Sequence, residues 1–552
     1  MSNTSNQNEQ SIPQQEYTQY YGSVPPNGTV PPNSPDSPYS SQPYATPIYP
    51  PRTPYQFASG DAIFAAFMIV VGFLFWEWQV VASGLSAFLF FVVGIAGCLT
   101  YFKHKGIPQN IKSLVCLGVL SAGTLPFLLY GFMGIHIPLV MFEFAAFMTW
   151  IALTCRTTVS ENLSGFIASD LINQGFVVSF GNFVGLFGSI RAGMGKAKSG
   201  KKVLAGIVGV IVAIPVILIV VSLLVSADSG FESFTTKLMD SLDIERIGVY
   251  ILEFVVGIPI ACYIYGIVHG NTYRRKTTCI TKEATARSIA TMHVIPRVSI
   301  YVPIVILNLL YIVFFVVMAP YLFSAFGANL PDGYTYSEYA RKGFFELLGV
   351  ASINLGILVF TYLFARRNAQ EYPKSLRILT GSLSILTTLL ILTAASKMLM
   401  YIGAYGLSQL RVYTLWFMIL LLTVFVILII WHIRPFNAGS PIVIAFAAAV
   451  LTLFLTNTDG LIAKYNVDNY LNGNLKTVDI DMMRYMSPAV VPHLEKLSKD
   501  YSNTNTNTNV RALAGEALFD LKRDYSIGQD SFSFDYRFHS WNLTSARVFQ
   551  TD

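Results

Sequence analysis

Charge is scarce in this chain. Only 12% of its 552 residues are Asp, Glu, Lys or Arg, against 53% hydrophobic residues and 14% aromatics. A water-soluble domain carries about 25% charged residues, and here apolar runs of 18 or more residues recur along the sequence, so a soluble fold is excluded. Cysteine is scarce too: Cys98, Cys116, Cys155, Cys262 and Cys279 show no C-x-x-C spacing, which argues against a disulfide framework or a thiolate metal site. The seven histidines are scattered without H-E-x-x-H, and no G-x-S-x-G, kinase set or dinucleotide fingerprint occurs. These absences point away from an enzyme, and no cofactor or metal is implied. The first 50 residues have no basic n-region and no apolar h-region, so they do not read as a signal peptide.

One apparent motif fails on inspection. "GKAKSGKK" (195–202) fits the first seven positions of a phosphate-binding P-loop, but Lys202 stands where Ser or Thr must hold magnesium, and a membrane run follows. Lys196, Lys198, Lys201 and Lys202 read instead as a polybasic anchor for anionic lipid headgroups. The net charge of +6 implies no nucleic-acid partner, because the basic residues lie mainly in short loops between apolar segments.

Three regions follow from composition. Residues 1–57 hold 12 of the 26 prolines amid Gln, Asn, Ser and Tyr. Such a segment buries too little apolar surface to offset the entropy of ordering, and is expected to be a disordered cytoplasmic tail. Residues 58–456 form the membrane domain, with about eleven helical spans near 61–80, 84–102, 112–131, 136–154, 203–226, 247–269, 299–325, 344–365, 377–400, 411–432 and 438–456. The runs are continuously apolar rather than alternating, which favours helices over a barrel. Residues 164–190 space Phe166, Leu171, Phe176, Phe180, Phe183 and Phe187 helically among Asp170, Asn173, Gln174 and Asn182, the pattern of an amphipathic helix at the cytoplasmic interface. Residues 457–552 are richer in charge, with apolar residues three and four apart, and predict a small helical extracytoplasmic tail. The expected fold is thus an all-α polytopic transmembrane helix bundle with a helical C-terminal domain.

Alternate loops divide the basic residues unequally, twenty in one set and five in the other. The positive-inside rule makes the first set cytoplasmic, with the N-terminus inside and, after eleven crossings, the C-terminus outside. The expected setting is a plasma membrane crossed many times, with the lipid bilayer as the expected partner.

Ionisable and amide side chains within apolar spans are costly and imply a pathway or an interhelical contact. Glu143, Glu253, Asn308, Asn354 and Lys397 form the candidate intramembrane set. A proton or ion relay would use such groups, and so would static contacts between helices. On the outer side, "DGYTYSEYARKGFFEL" (332–347) brings Glu338, Arg341, Lys342 and Glu346 together at helical spacing.

At that stretch, and at "YIGAYGLSQLRVYTLWFM" (401–418), the sequence resembles a family of bacterial multi-pass membrane proteins, domain of unknown function 4173, with its relative 4153. The resemblance rests on Tyr-Ala-Arg-x-Gly-Phe-Phe-Glu-Leu, on Tyr-Gly-Leu-Ser-x-x-Arg-Val, and on "LIAKYNVDNYL", "VVPHLEKL" and "WNLTSARV" in the tail. It implies a candidate outer-face set of Tyr339, Arg341, Glu346, Tyr405 and Arg411, with Tyr465 and Asn466, in which the arginines face Glu346 or an anionic substrate. It carries no activity with it. The leading expectation is an uncharacterised envelope scaffold or sensor, and the alternative is a transporter or lipid-linked substrate handler using the intramembrane carboxylates.

Overall fold

A chain inside a bilayer has no water to satisfy its backbone, so each N–H and C=O must pair within its own segment, and continuous apolar runs close into α-helices. The computed structural model describes residues 57–76, 84–130, 136–160, 166–196, 244–326, 344–366, 372–499, 508–531 and 541–549, with the isolated positions 220 and 224. Among these residues the protein is all-α, and its one sheet-like contact is an isolated bridge between Ile295 and Ala365.

The helices of the membrane region are α1 (Ser59–Phe75), α2 (Leu85–His104), α3 (Ile111–Tyr130), α4 (His136–Cys155), α5 (Ile167–Ile172), α6 (Ser179–Gly181), α7 (Gly185–Lys196), α8 (Ile244–Thr272), α9 (Lys282–Met292), α10 (Arg297–Phe326), α11 (Phe344–Phe364), α12 (Lys374–Tyr405), α13 (Gln409–Ile433) and α14 (Gly439–Leu455). Among the described residues eight are long and apolar enough to cross a membrane, or up to ten if two bent pairs each count as one span. The sequence predicts about eleven. The eight lack three of the expected spans: 203–226 lies outside the described residues, apart from the two isolated positions, and α1 and α14 have 17 residues each, too short to count alone, although α14 with the helix at Thr458–Leu471 forms one of the bent pairs.

Polarity is arranged inside out, as lipid solvent requires. On α10 the exposed residues Val298, Val302, Ile306, Leu309, Val313 and Val316 form an outward apolar stripe, while Asn308 is buried. Elsewhere Asn354, Thr380, Ser384 and Thr387 are all fully buried. Hydroxyls on α12 bond back to carbonyls four residues earlier, Thr387 to Leu383 at 2.7 Å for example, so these polar groups bring their own partners into the core.

Two packed cores result. The first joins α1–α4, α7 and α8 around Trp150, Phe102 and Tyr265; the second joins α10–α13 around Leu383, Leu390 and Phe425. Where α1 crosses α8, Gly72 and Gly257 lie so close that a Cβ on either would meet the other's carbonyl oxygen at 2.3 or 2.6 Å, the small-residue contact that lets helix backbones meet in lipid. A smaller cluster of Ala87, Phe127, Leu139, Val450 and Phe454 ties α14 to the first core.

The segment from α5 to α7 includes a π-helical stretch, Asn173–Val178. Its polar residues Asn173, Gln174, Ser179, Asn182 and Ser189 are buried, while Ile172, Phe176, Phe180, Val184 and Phe187 are exposed. Its polar face therefore meets the helices rather than water. Asn173 donates to Thr277 O at 3.2 Å, Asn182 to Arg275 O at 3.2 Å, and Tyr263 to Gly175 O at 2.7 Å. The first two partners lie just beyond the C-terminal end of α8, and Tyr263 lies within the helix.

The bundle has two distinct ends. One gathers the C-termini of α2, α4 and α8 with the N-termini of α1 and α3, and carries Lys103, Lys105, Lys112, Arg156 and Arg274; it is called the basic end below. The other carries the tail helices α15 (Thr458–Leu471), α16 (Ile480–Arg484), α17 (Val491–Ser498), α18 (Thr508–Ser531) and α19 (Leu543–Phe549). The tail has its own core of Ile462, Val467, Met483, Val490, Leu494, Leu497 and Ala514.

Candidate functional sites

The intramembrane candidates do not converge on one site. Glu143, fully buried on α4, presses its carboxyl against α3, where a Cβ on Gly123 would fall 1.6 Å from Oε1. Both carboxyl oxygens are buried without a hydrogen-bond partner. Glu253 is also buried, on α8, but the residue of α8 facing this part of α4 is Tyr263, whose ring meets Phe144 at 5.7 Å. Ten helical residues separate Glu253 from Tyr263, about 15 Å along the axis. In the second core Asn354 accepts from Tyr311 at 2.9 Å and donates to Thr387 at 2.9 Å, and Asn308 donates to Leu379 O at 3.1 Å. These amides join α10, α11 and α12, the interhelical role open to them in lipid. Lys397, half-buried on α12, lies within electrostatic reach of Glu346 in the first turn of α11.

Of the outer-face set, Tyr339 and Arg341 lie outside the described residues, and so do Lys198, Lys201 and Lys202. Arg411 ties down the end of α12. Its Nη1 donates to Tyr405 O at 3.0 Å and to Gly406 O at 2.5 Å, and its guanidinium stands 4.3 Å from the centre of the Tyr401 ring. A cation on the last carbonyls of a helix is favoured by the helix dipole. Ser408 then starts α13 as its N-cap. Gly406 adopts φ +75°, and a Cβ there would meet Asn466 Oδ1 at 2.4 Å, so both the turn and the close approach require glycine.

Asn466, buried on α15, makes a paired contact with this turn: Leu407 N donates to Oδ1 at 2.6 Å, and Nδ2 donates to Leu407 O at 2.8 Å. Asp459 accepts from Gln409 at 2.8 Å and from Ser487 N at 2.9 Å. On the first core Thr544 donates to Leu129 O at 2.7 Å, and Leu85 N donates to Trp541 O at 2.8 Å. The tail is thus fastened to helix ends from both cores.

A further cluster at the basic end escaped the sequence reading. Asp61, fully buried in the first turn of α1, accepts from Tyr101 at 2.8 Å, Tyr273 at 2.6 Å and Ala58 N at 2.8 Å, and pairs with Lys105 at 2.5 Å. Lys105 also donates to Tyr273 at 2.9 Å. Burial alone would lower Lys105, but the hydrogen bonds to Asp61 and Tyr273 outweigh it and hold the ammonium above its ordinary range. Beside this network the buried His269 ring stacks against Tyr265, with centroids 5.0 Å apart, and tilts against Tyr273 at 4.6 Å. The sequence signals were an acid opening the first apolar run and a lysine closing the second. Read as loop charges, they say nothing of their pairing.

Among the described residues no group of three or more His, Cys, Asp or Glu side chains is placed to hold a metal ion. Residues 63–497 match the family described as domain of unknown function DUF4153, and the chain belongs to that family. No curated protein and no solved structure matches it.

Proposed function

We propose that this family member is a scaffold or sensor of the bacterial cell envelope, embedded in the plasma membrane with its N-terminus inside and its helical tail outside. The observation that carries this reading is the double fastening of the tail. Asn466 and Asp459 hold it to the ends of α12 and α13, and Thr544 holds it to α3. A ligand or partner that moves the tail must then act on both helix cores, which is what a sensing element needs. The imbalance of basic residues supports the orientation. Lys196, Lys198, Lys201 and Lys202 suit the anionic headgroups of the inner leaflet. The elements at 405–412 favour a wider kinship with domain of unknown function 4173.

Complementation of a null strain tests the role. Full-length protein is expected to restore the envelope phenotype, and protein lacking residues 457–552 to fail although it inserts. Complete rescue by the truncated form would sink the reading. Asn466→Ala gives a finer test, since it removes two hydrogen bonds from the latch and is expected to weaken rescue while leaving membrane insertion intact.

Glu143 favours a second reading, transport. A carboxyl group buried without a hydrogen-bond partner is expensive to keep, and a proton or cation that comes and goes would explain its retention. Proton or cation flux in proteoliposomes that is unchanged by Glu143→Gln would remove this alternative.

A further inference from the structure

On the tail side of the bundle the two helix cores face each other across an open groove of about 570 Å³. α4 of the first core lines it along the face from Pro138 to Ala145, α13 of the second core from Tyr413 to Phe417, and α14 from Phe446 to Phe454. α4 and α13 pack little against each other directly. α14 bridges them, with Phe142 meeting Phe446 at 6.5 Å between ring centres. Glu143 takes no part, since it faces α3.

The wall has two polar side chains, and neither is turned to a guest. Trp416 Nε1 donates to Ala449 O at 2.7 Å, and the Tyr413 hydroxyl lies beside Thr458 at the start of α15. Met141, Phe417 and Phe446 nevertheless remain exposed. Apolar walls hold water poorly, and a gap beside them forfeits dispersion, so the groove suits an apolar guest.

Size narrows the choice. The stretch from Phe446 to Phe454 covers about 12 Å of helix, most of the roughly 15 Å of hydrocarbon in one leaflet. The walls are the opening turns of α4 and α13 and the last half of α14, so the groove runs inward from one membrane surface. Spread over that length, 570 Å³ gives a cross-section on the order of 50 Å², less than the ~80 Å² of a helix 10 Å wide. A further helix does not fit; a hydrocarbon chain does, and the adjoining leaflet supplies it.

We propose that this groove is a lipid site, in which the acyl chain of one phospholipid from the tail-side leaflet completes the packing between the two cores. Full-length protein in phosphatidylcholine nanodiscs, doped with phosphatidylcholine carrying a diazirine midway along one acyl chain, is mixed with excess unlabelled phosphatidylcholine vesicles and irradiated at intervals. Adducts are mapped by mass spectrometry. Adducts at Met141, Phe446 and Leu453 outlast those at Val302 and Val313, which face exchanging bulk lipid on the outward stripe of α10. Met141→Trp and Ala145→Trp fill the groove and abolish the persistent adducts, whereas Val313→Trp leaves them. The proposal is overturned if the groove adducts decay as fast as those on α10, or if both filling variants leave them unchanged. It is overturned equally if benzoylphenylalanine in place of Phe446 cross-links to residues 203–226 rather than to lipid, because the chain then fills its own groove. Met141 is 69% exposed, so Met141→Trp keeps the test decisive even if Ala145→Trp fails to fold.

Discussion

Asp61 and Glu143 are both fully buried acids in the first helix core, yet their surroundings are opposite. Asp61 has two tyrosine hydroxyls, a lysine ammonium and a backbone N–H. Glu143 has a glycine face and no hydrogen bond. Burial of a polar group therefore says little about its role until its partners are counted. A satisfied acid acts as a clasp between helices, here joining α1, α2 and α8. An unsatisfied one lowers stability and is explained more readily by function than by architecture.

The largest effect is expected at Asp61. Asp61→Ala strips Lys105 of its counter-charge in a site where the lysine side chain is only 13% exposed, and thermal unfolding in detergent should report a loss of about 3–5 kcal/mol. Replacing both partners, Asp61→Leu with Lys105→Met, should recover much of that loss, because two desolvated charges leave together. If the double variant is no better than the single, the pair is not the clasp described. Tyr273→Phe comes next, at about 1–2 kcal/mol in the same assay, since it removes the hydroxyl that joins both members of the pair. Glu143→Gln should change stability by less than about 1 kcal/mol in either direction, there being no hydrogen bond to lose. A loss there as large as that of Asp61→Ala would erase the contrast.

The smallest effect is expected in the tail. Burial pushes His493 below its ordinary value of 6.5, with Asp468 opposing and Lys496 and Lys464 reinforcing the shift. A histidine held low in the folded state binds its proton more readily when unfolded. The tail should therefore keep full stability above pH 6.5 and lose some as the pH falls below it. Melting curves of His493→Gln should show a flatter dependence across that window.

The helical membrane fold was legible because it rests on local facts. Runs such as "LWFMILLLTVFVILII" are apolar on every face and cannot be anything but a buried or lipid-facing helix. The turn between α12 and α13 was partly legible: Tyr405, Arg411 and Asn466 stood out by resemblance, but the pairing of Asn466 with Leu407, 59 residues away, belongs to tertiary structure. The amphipathic stretch at 164–190 was visible by its spacing. Which face meets protein was not, because hydrophobic periodicity is the same whether the polar side meets water or buried amides.

Composition and hydropathy by themselves determined that this protein is a helical membrane bundle and where most of its helices run, since lipid leaves the backbone no other way to pair. Tertiary structure alone decided which polar residues are clasps and which are left unsatisfied. Asp61 meets Tyr101 across 40 residues and Tyr273 across 212, and partners at such separations leave no periodic trace in the chain. The same physics that hides the clasp made the spans plain: one follows from each residue's preference for lipid over water, the other from which distant side chains packing brings within hydrogen-bond reach.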